Sequence, residues 1–316
     1  MMLTYNLFKE KVLNELPGYM PEEYRPDECI EYKVRKNNVE IDALSLRGGI
    51  YKTMSPSMSF GALYDAYHEN GGKFDELMNS VADMLVNTVD RAPKVDADTF
   101  NDPEHRIIFQ LVNASSNKKM LQDAPHRGYL DLAITYRYIL SVVEDGMSGT
   151  VVTNQLMKMM GVTEEDLFRF AKNNTPNMLP AVFENIVKVI GEISETEGLG
   201  LCFSDIEETV PMYVITNKYM QFGSSAVLYD ETLEHVSEIF SSYGGDFFLI
   251  PSSIHEMIAT PIIDGIGEPK EIIELVKEVN ATQVGVQERL SNSLYRYYSE
   301  TKTLSVITDL TPITEE

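Results

Sequence analysis

The stretch at residues 246–262, DFFLIPSSIHEMIATPI, sets Ser252, Ser253, His255 and Glu256 within five positions. A hydroxyl, an imidazole and a carboxylate are the parts of nucleophilic catalysis, in which a base takes the hydroxyl proton and an acid orients the base. Neither PSSIH nor FGSSA has the GxSxG elbow that exposes a serine on a sharp strand-to-helix turn. A zinc protease helix needs a second histidine four residues on, and that position is Ala259. Ser252 and Ser253 are therefore expected to hold backbone at a corner made by Pro251. No catalytic residue is expected, and Ser252, Ser253 and His255 stand as the candidates should the chain be an enzyme. Asn217 and Tyr229 are the matching ligand-binding candidates, because the strands carrying them are expected to lie beside this one.

Glu231, Glu234, His235 and Glu238 share one helical face, as carboxylate-bridged metal sites require. Leu233, Val236, Ile239 and Phe240 form the complementary apolar stripe, so the charged face is expected to meet water and no metal is expected. Asp205, Glu207 and Glu208 crowd one acidic loop but lack the twelve-residue calcium frame. In PHRGYLDLA, His126 and Arg127 precede Asp131, and an Arg127–Asp131 pair is expected to hold that turn. His68 and His105 sit among polar residues and are expected on the surface. Paired glycines at 48–49, 71–72 and 244–245 lack the GxxxxGK frame, and EGLGLC is not a GxGxxG, so no nucleotide cofactor is expected.

The elements that must position these groups read as follows. Phe8, Val12 and Leu16 recur on one side of an amphipathic helix expected to end at Pro17-Gly18. CIEYKVRK and VEIDALSLR alternate around Asn37-Asn38, a hairpin signal. SFGALYDAYHENGG and FDELMNSVADMLVNTV read as helices. Residues 90–103 lose periodicity and serve as the expected linker, giving an N-terminal module over 1–92 and a larger core over 104–316, with a sub-boundary near 194–205. In the core, RIIFQLVN reads as a strand, and YLDLAITYRYILSVV is apolar and β-branched enough for another, with a helix as the alternative. GTVVTNQLM starts as a strand, and Thr163 caps a helix that Pro176 should end. AVFENIVKVIGEI reads as a helix, PMYVITN and GSSAVLY as paired strands, and Asp230 as the cap of ETLEHVSEIFSSY. Strand–strand–helix thus recurs near 29–70, 130–174 and 212–243. The fold class expected is α+β, with mixed or antiparallel sheets flanked by helices.

The chain has 316 residues and 43% hydrophobic content, enough for a large core, and a formal charge of −23. That charge repels phosphate backbones, and no basic cluster exceeds a pair, so direct nucleic-acid binding is not expected. Cys29 and Cys202 are the only cysteines, which excludes a disulfide framework and a zinc-thiolate site. The N-terminus lacks a signal sequence and no apolar run reaches membrane-spanning length, so the expected location is the cytoplasm.

PMYVITNKYMQFGSSAVLYDETLEHV, DFFLIPSSIHEMIATP and VKEVNATQV, with HRIIFQLVNASSNKKMLQDAPHRGYLDLAITY and EEDLFRFAKNNTPNMLP before them, give the chain a family likeness. In order and content these blocks resemble an uncharacterised bacterial family found largely in gut anaerobes, over most of residues 25–300. A more distant similarity is to an uncharacterised family of Gram-positive bacteria. The resemblance implies an intracellular bacterial protein, carried on mobile elements, and assigns no reaction and no site residue. The residues themselves favour a non-enzymatic interaction or regulatory protein that meets a protein partner through an acidic surface. The alternatives are a hydrolase or small-ligand enzyme at Ser252, Ser253 and His255, and an acidic mimic of nucleic acid.

Overall fold

Among the described residues every strand finds an antiparallel neighbour, and helices cover the sheets. This computed structural model describes residues 2–52, 55–92, 95–96, 98–143, 146–189, 191, 211–263 and 267–307. The fold is α+β, and the chain divides into two units, Met1–Thr99 and Phe100–Glu316. No described helix is long and apolar enough to cross a membrane.

In the first unit, α1 (Tyr5–Tyr19) buries Phe8, Val12 and Leu16 completely. It runs through Pro17 instead of stopping there, because a proline in the last turn removes only one intrahelical hydrogen bond. β1 (Glu28–Lys36) and β2 (Val39–Arg47) form the expected hairpin, turned by Asn38 in the left-handed region at φ 62°. β3 (Ser57–Ser59) adds a third strand. α2 (Phe60–Glu69) is capped by Ser59, whose hydroxyl accepts from the Ala62 N–H. Gly71 and Gly72, both at positive φ, lead into α3 (Phe74–Arg91). Leu44 and Leu46 on one face of the hairpin pack with Phe60, Leu63, Met78 and Val81 to make this unit's core.

The second unit opens with α4 (Pro103–Arg106), β4 (Ile107–Asn113), α5 (Lys118–Asp123), β5 (His126–Tyr129), β6 (Leu132–Val143) and β7 (Gly146–Val151). The twelve-residue β6 is the spine of a four-stranded sheet: β4 pairs along one side, and β5 and β7 share the other. Its alternation sends Ile134, Tyr136 and Tyr138 into the main core and leaves Thr135, Arg137 and Ile139 on the opposite face. α6 (Asn154–Met160), capped by Thr153, precedes α7 (Glu164–Met178). Thr163 and Asp166 complete a capping box at the start of α7, whose Leu167 and Ala171 pack on Ile107 and Phe109. Like α1, α7 passes through its late proline, Pro176, before ending.

Then come β8 (Ala181–Asn185), β9 (Tyr213–Asn217), a 3-10 turn over Gly223–Leu228, α8 (Thr232–Ile239), β10 (Phe247–Ser253), β11 (Glu256–Pro261), α9 (Pro269–Thr282), β12 (Tyr295–Tyr298) and β13 (Thr303–Val306). The strands build a six-stranded antiparallel sheet in the order β13-β12-β10-β11-β9-β8. Four expectations are corrected here. Only the start of AVFENIVKVIGEI departs from the expected helix: AVFEN is a strand, because β9 offers it a hydrogen-bonding edge, and residues 186–189 are helical. GSSAVLY is not a strand: its small, fully buried Ser224, Ser225 and Ala226 coil into the 3-10 turn under the sheet. The recurrence of strand–strand–helix therefore fails over 212–243. Asp230 does not cap α8 either; Glu231, in the left-handed region at φ 71°, occupies the cap position without a side-chain bond. The expected sub-boundary at 194–205 lies outside the described residues, as do Cys202 and the acids Asp205, Glu207 and Glu208.

Two polar clusters tie this unit together. Asp131, in the β5–β6 turn beside Leu130 at φ 57°, does not pair with Arg127. Instead it accepts hydrogen bonds from the hydroxyls of Ser291 (2.5 Å), Ser293 (2.9 Å) and Tyr295 (2.6 Å). Arg127 forks onto Glu164 at the start of α7, through Nε at 2.7 Å and Nη2 at 3.0 Å, and also reaches Glu165. The Tyr136 hydroxyl donates to the same Glu164, and the Arg127 guanidinium lies 3.9 Å from the Phe168 ring centroid. Partial burial pushes the Glu164 carboxyl up, but hydrogen bonds from Arg127 and Tyr136 outweigh it and hold the pKa below the ordinary value. Asp246 is held low in the same way, its burial outweighed by the Ser299 N–H and hydroxyl and by Arg296.

A carboxyl held low in the folded state adds stability above its unfolded pKa and loses it as pH falls through the folded one. Urea midpoints should therefore decline below about pH 4.5. Glu164→Gln should flatten that decline. Asp131→Ala strands three hydroxyl donors and should cost about 3 kcal/mol by urea denaturation at neutral pH.

Candidate functional site

A two-residue turn joins β10 to β11, and its backbone polar groups need partners from elsewhere. That turn is Ile254-His255. The Ile254 N–H donates to Glu288 O at 2.8 Å, and Ile254 O accepts the Ser224 hydroxyl at 2.7 Å. His255 O accepts the Thr216 hydroxyl at 2.8 Å, and the His255 N–H donates to Ser253 Oγ at 3.0 Å. The segment quoted first is thus a corner between strands, held by hydroxyls acting on backbone.

The imidazole of His255 is engaged at both nitrogens. Nδ1 accepts the Phe222 N–H at 3.2 Å, so the proton sits on Nε2, which donates to Glu288 Oε2 at 2.5 Å. A histidine oriented by an acid is half of a triad, but the nitrogen that would face a nucleophile faces a backbone amide. Ser253 Oγ is turned to the His255 amide and Ser252 Oγ donates to Glu256 Oε1 at 3.1 Å, so neither hydroxyl meets the ring.

Asn217 acts one step removed. Its Nδ2 donates to Gln221 O and its Oδ1 accepts the Tyr219 N–H, shaping the loop that delivers Phe222 to His255. Tyr229 stands apart, its hydroxyl donating to Leu179 O. The four proposed metal ligands do not converge: Glu234 pairs with Lys302, His235 packs on the Phe183 ring at 4.9 Å, and Glu238 approaches His235 only at 4.0 Å. Among the described residues no group of three or more His, Cys, Asp or Glu side chains is arranged to hold a metal ion. His105 is exposed beside Asp102, and His68 is exposed against Tyr64. Burial pushes the Cys29 thiol up to about 11, which keeps it from being a nucleophile at neutral pH.

The loop between β9 and the 3-10 turn carries the strain. Met220 (φ 50°) and Phe222 (φ 55°) are left-handed without being glycine, an arrangement costing about 1 kcal/mol each and concentrated at functional positions. Gly223 follows, where a Cβ would lie 2.3 Å from both His255 O and Thr216 Oγ1. The Phe222 ring meets two partners. His255 packs nearly parallel to it at 6.0 Å between centroids, and the Arg137 guanidinium lies 4.5 Å from its centroid.

Arg137 is the group the sequence reading passed over. It points from β6 onto the face away from the main core, between Ile108 on β4 and Val151 on β7. Nη1 donates to Gln110 Oε1 at 3.2 Å and Nη2 to Gly149 O at 3.0 Å, while Nε is sealed from solvent without an acceptor. No carboxylate of the described residues pairs with it. Burial pushes its pKa down to about 10, which leaves it charged at neutral pH. A lone arginine inside LAITYRYILSVV was the available signal. Glu288, Thr216 and Phe222 gave none, being brought to His255 only by the fold.

The first unit holds an open groove of about 570 Å³, lined among others by Ile30, Tyr32, Arg47, Tyr51 and Lys52. Arg47 there is shared with Glu28 at 3.7 Å.

Gly223→Ala should force the loop off the β10–β11 turn and cost about 3 kcal/mol, read as a lowered urea midpoint. His255→Gln, which gives up only the ring contacts, should cost less than half as much.

No curated protein and no solved structure matches the chain. Residues 5–299, nearly the whole length, match a protein family described as a family of unknown function, DUF5688, and the chain belongs to it.

Proposed function

We propose that this protein works by binding and not by hydrolysis, as a cytoplasmic interaction or regulatory protein that meets a basic protein partner through its acidic surface. The observation that carries this reading is the engagement of His255: with Nδ1 on the Phe222 amide and Nε2 on Glu288, the ring has no lone pair for a serine proton. The hydroxyls beside it are spent on the turn. Charge supplies the other support. The chain carries 49 acidic against 26 basic residues, and its exposed helix faces repeat the excess. α3 exposes Asp75, Glu76, Asp83 and Asp90, and α9 exposes Glu271, Glu274 and Glu278. Such a surface accelerates encounter with a basic protein and gives the complex a strong dependence on salt. Membership of mobile elements, implied by the family likeness, fits a protein that engages host or competitor proteins.

Immobilised full-length chain should retain basic host proteins at about 50 mM salt and release them by about 300 mM, as screening shortens the reach of its charge. His255→Gln and Ser253→Ala should retain them equally well. Failure to retain any basic protein at the lower salt, or an ester-hydrolysing activity lost in His255→Gln, would count decisively against this reading.

A further inference from the structure

We infer that Arg137 anchors a binding site for a small monocarboxylate, roofed by Phe222. A guanidinium largely withdrawn from water ordinarily has a carboxylate beside it, because an uncompensated buried charge is costly. The chain has acids in large excess, yet among the described residues Arg137 meets only a neutral amide oxygen, a backbone carbonyl and an aromatic ring. By contrast Arg127, ten residues earlier on the same sheet, receives a forked glutamate. The missing counter-charge at Arg137 is therefore one that arrives with a ligand.

The surroundings define its chemistry. Arg106 reaches the backbone carbonyls of Ile139 and Leu140 but is shared with Asp102, so Arg137 is the cation left without an acid among the described residues. That suits a monoanion better than a phosphate, and a planar guanidinium edge matches a planar carboxylate. Gln110 turns its amide oxygen to Arg137, which leaves its NH₂ group as a second donor that carries no bond to any described residue. The flanking residues on the same face, Ile108, Ile139 and Val151, are apolar, and Ile108 and Ile139 are buried with Leu179, which leaves room beside the guanidinium for a short acid such as acetate and not for a long one.

Phe222 closes the site. Its ring lies over the guanidinium while the unpartnered Nε is sealed from solvent. Its left-handed backbone is held by the N–H bond to His255 Nδ1. His255 and Glu288 thereby become positioning residues for the roof, a role that needs no catalysis and goes beyond the partner surface proposed above.

The test is thermal unfolding of the full chain in sodium acetate, against sodium chloride and sodium phosphate at equal ionic strength. Acetate should raise the melting temperature progressively with concentration, and chloride and phosphate should not. Arg137→Gln should abolish the acetate shift while melting no lower than the parent protein without ligand, since it removes an uncompensated charge. Arg137→Lys should weaken acetate about tenfold, the worth of one charge-assisted hydrogen bond. The inference is overturned if chloride or phosphate matches acetate, or if Arg137→Gln keeps the shift. It is equally overturned if both variants melt well below the parent, because the guanidinium is then a structural tie.

Discussion

The β10–β11 turn must place two carbonyls and two amides where water cannot serve them all, and much of the second unit is arranged to satisfy them. Thr216 at the end of β9, Ser224 in the buried 3-10 turn and Glu288 after α9 each supply one partner to Ile254 or His255. Those bonds fix three segments that lie far apart in sequence. They also dictate the absence of a side chain at residue 223, because His255 O and Thr216 Oγ1 fill the space that a Cβ would take. The left-handed Met220 and Phe222 follow from the same constraint, since the chain must leave β9 and re-enter beneath the turn within a few residues.

Charge sets the second theme. An excess of acid at the surface costs some self-repulsion and confers solubility and long reach toward cations. Within the fold, the acids that matter are the ones with several donors: Asp131 with three hydroxyls, Glu164 with a forked arginine and a tyrosine. Exposed pairs such as Lys73–Glu76 contribute little by comparison. Arg137 stands outside this pattern as a cation whose described partners are all neutral, next to the strained roof that also touches His255.

Elements with strong local signals were legible from the chain itself. The Phe8, Val12 and Leu16 spacing marks α1, the Asn37-Asn38 turn marks its hairpin, and the Thr163 box marks the start of α7. Local signals lose their hold where tertiary partners decide. AVFEN became a strand because β9 lay open to it, and GSSAVLY lost its strand because small side chains allowed a buried 3-10 turn. Pro17 and Pro176 did not end their helices, since a late proline forfeits a single bond that packing can absorb. Arg127 takes Glu164 at the start of α7, while Asp131, four residues away, is held by Ser291, Ser293 and Tyr295.

What the sequence determined by itself was the α+β class, the amphipathic helices, the hairpin at Asn37-Asn38 and the acidic charge, all of which follow from local periodicity and composition. Tertiary structure alone decided the company of each polar group. His255 received Glu288 and the Phe222 amide, Asp131 received Ser291, Ser293 and Tyr295, and Arg137 received no acid among the described residues. Hydrogen-bond partners separated by 33 or 160 residues leave no periodic trace in a chain. They are fixed by which strands pair and which loops are brought beneath them, and the chemistry open to this protein is fixed at that level.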